Sequence, residues 1–129
     1  MPLHSVIQKE QRLVVTTGEG RLTLEDVKEN QHRLLSDPDF DPGFNQLLDA
    51  TAITEMAITV DEIKRAVSPK VFSPTSRRAF VVSSTFMYGM ARMIQTYNEL
   101  SQGSTAVTIF RDRASALVWL GVKENSRND

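Results

Sequence analysis

Ala79-Phe-Val-Val-Ser-Ser-Thr85 is the stretch whose reading decides the fold. Four apolar residues in a row suit a central strand covered on both faces. Ser83 or Ser84 then caps the longest predicted helix, Thr85 to about Ser101, and Gly103 supplies its stop. A buried strand that feeds straight into a helix is the building unit of a parallel α/β sheet. Working outward toward the C-terminus, Thr105 to Phe110 (TAVTIF) reads as another strand. Asp112 caps a last helix, Arg113 to Leu120, closed by Gly121.

Toward the N-terminus, Val6–Ile7 and Leu13-Val-Val-Thr16 are β-branched runs around the polar Gln8 to Gln11, a hairpin pattern. Gly18-Glu-Gly20 is expected to end the second strand. Thr23 caps a helix that runs to about Ser36, with Asp26 as its capping-box partner. Leu24, Val27, Gln31, Leu34 and Leu35 give it a stripe at 3–4 spacing. Asp37 to Gly43 is a loop. Phe44 to Ala50 reads as a strand ending in an acidic turn, and Thr59-Val-Asp-Glu62 is a capping box for a helix reaching Pro69. The predicted order is β-β-α-β-α-β-α-β-α. It gives an α/β domain with a mixed, mostly parallel sheet of about five strands and four helices. One domain is expected over 1–121, with a polar tail over 122–129.

Composition excludes several chemistries. The 129 residues contain no Cys and two His, so thiolate metal sites, disulfides and a cysteine nucleophile are excluded. His4 and His32 have no ligand-type partner at i+4 and read as ordinary surface or boundary residues. Asp37, Asp39 and Asp41 have calcium-loop spacing, but Pro42 stands where the loop needs Gly and Leu48 where it needs Glu. No metal and no cofactor are expected. The net charge of −1 divides unevenly: residues 1–64 carry 6 basic and 12 acidic groups, residues 65–129 carry 9 and 4. An acidic side and a basic side could pair, so a homodimer is one expectation. Nothing reads as a nucleic-acid module. The first ten residues lack a signal-peptide h-region, and no apolar run approaches a membrane span. The expected compartment is the cytoplasm.

The order of elements resembles the STAS domain, named for sulfate transporters and anti-sigma-factor antagonists. More narrowly it resembles the bacterial SpoIIAA-like group, which shares its fold with CRAL-TRIO lipid-binding domains. Gly20-Arg-Leu-Thr23, the run from Arg77-Arg-Ala-Phe-Val-Val82 into Phe86-Met-Tyr-Gly-Met-Ala-Arg-Met93, and Val107-Thr-Ile-Phe-Arg-Asp112 with Ala116-Leu-Val-Trp-Leu120 carry that resemblance. It covers roughly residues 5–121 and implies a regulatory, protein-binding role. STAS regulators switch by phosphorylation in an Asp-Ser-Ser-Gly turn. Leu48-Asp-Ala-Thr51 resembles the strand end before that turn, but the turn would fall near Met56-Ala-Ile58, which has no serine and no glycine. No phosphosite is carried over.

Two candidate sites follow. In an open α/β sheet, ligands bind outside the carboxyl ends of the parallel strands, where helix N-termini favour anions. Here Asp49, Thr51, Ser83, Ser84, Thr85, Arg111 and Arg113 would form that rim, for a small anion or an acidic partner. The second candidate is the Met-rich helix face of Phe86, Met87, Met90, Met93 and Tyr97, either core, an apolar ligand pocket or a partner face. The leading expectation is a non-catalytic regulatory or protein-interaction domain. The alternative is a small-molecule, anion or lipid-binding module. An enzymatic reading would use Asp49 with Arg111 or Arg113. A continuous cavity beneath Met87, Met90 and Met93 favours a ligand carrier; a filled core with an exposed apolar patch favours a protein partner.

Overall fold

A computed structural model describes residues 3–59, 61, 62, 65, 71–100 and 106–122. Its elements are β1 (Leu3–Gln8), β2 (Leu13–Thr23), α1 (Leu24–Ser36), β3 (Asn45–Ala57), β4 (Arg77–Val81), α2 (Thr85–Leu100), β5 (Ala106–Phe110) and α3 (Arg113–Leu120). The five strands form one sheet in sequential order. β1 is antiparallel to β2, and every later neighbour is parallel. This is the expected mixed α/β sheet. Three helices have full bounds among the described residues, where four were expected. The predicted helix after Thr59 lies mostly outside them, although its capping box is formed: Thr59 Oγ1 accepts from the Glu62 amide and Glu62 Oε1 accepts from the Thr59 amide.

Sequential order has a physical consequence. Successive crossovers of the same hand, all stepping in one direction, put their connections on one face of the sheet. α1 and α2 accordingly pack with Leu22, Ala50, Phe80, Val82 and Val107 on that face. α3 follows the last strand and covers the opposite face, where Ala116, Leu117 and Leu120 meet Leu13, Val15, Leu47, Ala79 and Val81. Strand alternation sorts the side chains, so Arg78 and Phe80 of β4 and Val82 just beyond it face α1 and α2, and Ala79 and Val81 face α3. The same order separates the charge: the acidic half builds β1 to β3, and the basic half builds β4, β5 and their helices.

Local chemistry sets the boundaries. A three-residue 3₁₀ turn, Lys9–Gln11, and the left-handed Arg12 close the hairpin. Thr23 and Asp26 form the predicted capping box of α1. Asp112 caps α3 through the Ser115 amide, and Gly121 ends it with φ +75. Two expectations are corrected. β2 does not end at Gly18-Glu-Gly20 but passes through them with shifts of register against β3. Gly18 sits so close to Ile53 that an added Cβ would lie 2.7 Å from its Cδ1, and Gly20 has φ +68. β3 in turn runs on past Asp49 to Ala57, because the lengthened β2 supplies it with a backbone partner.

Candidate functional site

The rim residues come together in part. Asp49 is the last residue of β3 paired with β4, opposite Val81. Arg113 Nη1 donates to Asp49 Oδ2 at 3.2 Å. The Thr51 amide and hydroxyl donate to Asp49 Oδ1 at 3.0 and 2.7 Å. Partial burial raises the Asp49 pKa, but the two Thr51 hydrogen bonds and the Arg113 charge outweigh it and hold the carboxyl below its ordinary range. The Ser83 hydroxyl donates to the Thr51 carbonyl at 3.3 Å. Ser84 Oγ accepts from the Met87 amide and so caps α2, whose first residue is the exposed Thr85. Arg111 stands apart, its guanidinium 4.9 Å from the Tyr88 ring centroid. An anion arriving here would meet an arginine already held by a carboxylate and a serine spent on a cap.

The α2 face is rotated from the predicted stripe. Met87, Ala91 and Asn98 are buried, with Met90 and Ile94 beside them. Phe86 (64% exposed), Met93 (41%) and Leu100 (81%) point outward, and Tyr97 is half-buried. Apolar residues occur on most sides of this helix, so periodicity alone does not fix its phase. The side on which the sheet lies decides it, and Met87 and Ala91 turn toward that side.

Between the sheet and helices α1 and α2 lies a cavity of about 170 Å³. Its walls are mainly apolar: Leu22, Ile53 and Met56 from the β2–β3 extension, Phe80 from β4 and Val82 just after it, and Met87, Met90 and Ile94 from α2. Met93 is not among them. For scale, an engineered cavity of about 150 Å³ lined by similar side chains binds benzene.

One wall is polar, and its hydrogen bonds all run in one direction. Arg78 Nε donates to Gln46 Oε1 at 2.9 Å, and Gln46 Nε2 donates to Thr16 Oγ1 at 2.9 Å. The Ser5 hydroxyl donates to Asn30 Oδ1 at 2.8 Å, which leaves Thr16 to donate to Ser5 Oγ, also at 2.8 Å. Thr16, Gln46 and Asn30 are buried. The chain crosses β4, β3, β2 and β1 and ends on α1. Each member fixes the orientation of the next, and the arginine charge polarises the series. The guanidinium also lies 4.9 Å from the Phe72 centroid and 5.4 Å from that of Phe80. Burial lowers the Arg78 pKa to about 10, so the group is cationic at neutral pH. Some accessible surface remains on Arg78, in keeping with its place on the cavity wall.

Sequence reasoning missed this wall. Its signal was the alternation Arg78, Phe80, Val82, which puts a charge on the inward face of a central strand. The other flagged groups are accounted for locally. His4 and His32 are exposed, and Asp37 and Asp41 accept from the amides of Asp39 and Gly43 in turns. Among the described residues, no group of three or more His, Asp or Glu could hold a metal, and no helix is long and apolar enough to cross a membrane.

No protein-family model matches the chain, and neither does any curated protein. Among solved structures it is similar to an uncharacterized protein of the DUF3478 family with a SpoIIAA-like fold from Shewanella loihica PV-4. The TM-score is 0.62 and the identity 22%, over 92% of this chain and 93% of that one. The fold is therefore a SpoIIAA-like α/β fold.

Proposed function

We propose that this chain is a non-catalytic, cytoplasmic SpoIIAA-like module that binds a small, largely apolar molecule between its sheet and helices α1 and α2. The observation that carries this reading is the cavity of about 170 Å³ beneath Met87 and Met90. Packed interiors seldom keep voids larger than a water molecule, because each forfeits dispersion contacts. A partly open apolar hollow of this size leaves contacts of its walls unmade unless a ligand or ordered water fills it. The non-catalytic part rests on Asp49, whose hydrogen bonds and ion pair leave it a weak base.

The five methionines supply the test. Met56, Met87 and Met90 line the cavity, and Met93 is exposed. Titration of methyl-labelled protein with toluene should shift the methyl resonances of the first three and leave Met93 in place. Unmoved resonances throughout would rule the reading out.

A second reading, a protein-interaction face, has its own observation. Phe86, Met93 and Leu100 recur every seven residues and form an exposed apolar stripe along α2. It predicts a partner whose binding is weakened by Phe86→Ser together with Met93→Ser, with Met87 and Met90 undisturbed.

A further inference from the structure

The cavity holds an arginine with no described acidic partner. Arg78 forms none of the four ion pairs found among the described residues. The undescribed positions between 60 and 105 contain no Asp or Glu. A guanidinium offers five N–H donors in a planar fork. One, on Nε, is taken by Gln46. The rings of Phe72 and Phe80 lie close to the guanidinium but accept no conventional hydrogen bond. A buried cation is costly unless paired and fully hydrogen-bonded, and this one stands in the polar wall of an otherwise apolar cavity. The directional chain through Gln46, Thr16, Ser5 and Asn30 holds the fork in place, so a ligand would not have to order it.

We infer that the ligand of this cavity is a small monocarboxylate: an apolar body whose carboxylate is taken by the free Nη edge of Arg78. This rests on the cavity reading above and adds the charge of the ligand to it. By comparison with the benzene-binding cavity, the volume limits the apolar body to about seven non-hydrogen atoms, with the carboxylate set against the arginine wall. The planar fork matches a carboxylate in a two-bond arrangement. A phosphate dianion would bring a second negative charge into walls that, among the described residues, offer one cation. The apolar body would lie against Phe80, beside the arginine, and reach Met87 and Met90 of α2.

The test compares molecules of one shape and different charge on the full chain at pH 7. Benzoate is measured against benzamide, and octanoate against octanamide, by calorimetry and by the methionine methyl resonances. Each acid should bind about tenfold or more tightly than its amide, as a charge-assisted hydrogen-bond pair requires, and should shift Met56, Met87 and Met90. Arg78→Met should erase the preference, weakening the acid far more than the amide. Should that variant fail to fold, Arg78→Lys should weaken acid binding severalfold, because ammonium lacks the fork. Equal binding of acid and amide by the unaltered protein would overturn the inference and leave the cavity reading standing. Acid binding that bypasses the three methionines, or survives both substitutions unchanged, would overturn it too. Failure of all four compounds to bind would remove both readings.

Discussion

The two faces of the sheet are built to different standards. On the α3 side, Leu13, Leu47, Ala79, Val81 and Ala116 are essentially inaccessible, and Leu117 and Leu120 close over them. Trp119 extends that layer, tilted against Phe110 at 5.7 Å between centroids and stacked under the Arg77 guanidinium at 4.6 Å. On the α1 and α2 side, two longer helices leave a cavity and a polar wall behind. Helix length therefore does not decide packing quality here. The short helix brings small and branched residues onto a flat apolar patch. The longer pair straddles a strip where β3 and β4 present Gln46 and Arg78. One face is filled, and the other keeps a cavity.

The largest expected effect is on the filled face. Leu47→Ala should cost about 3 kcal/mol by chemical denaturation, the usual loss for a fully buried leucine, with ligand affinity nearly unchanged. A smaller loss would mean that this face can collapse around a void. Next come two alanines enlarged in parallel. Ala116→Leu on the filled face should cost about 2 kcal/mol through overpacking. Ala91→Leu, on the cavity wall, should be neutral or stabilising and should abolish binding. Equal penalties for both would erase the contrast between the faces.

A third prediction concerns the polar wall. Arg78→Met combined with Gln46→Leu removes a buried charge and its acceptor together, which should stabilise the ligand-free protein by about 1 kcal/mol. Destabilisation would mean that the wall is a structural device and not a ligand site. The smallest effect belongs to the rim. Asp49→Asn should cost less than about 1 kcal/mol, since its Arg113 partner is largely exposed. Its folded pKa lies below the ordinary 3.8, so its stabilisation is present above that value and fades as acid protonates the folded form. The difference between the variant and the parent should therefore shrink below about pH 4, measured by denaturant unfolding across that range.

Much of the fold was legible because its signals are local. Thr23 with Asp26, Asp112 with Gly121, and the polar break at Gln8 to Gln11 act through neighbours in sequence, and each works as expected. The apolar run Ala79 to Val82 announced a central strand for the same reason. Illegible features depend on distant partners. Gly18 and Gly20 look like terminators until the lengthened β3 provides a ladder. The phase of α2 depends on which side the sheet lies. The rim was legible as a set of residues but not as a network, since spacing cannot show that Arg113 meets Asp49 across 64 positions. Arg78 could be read only from strand alternation, and that it has no acidic partner among the described residues is a fact of three dimensions.

Xenon-pressurised crystals of the unaltered protein give the most direct test of the central claim, that the open face holds a ligand-sized apolar cavity. The account predicts one strong xenon peak between Phe80 and Met87, near the Arg78 wall, and none beneath α3. Xenon confined to the outer surface, or a core closed between Phe80 and Met87, would contradict it.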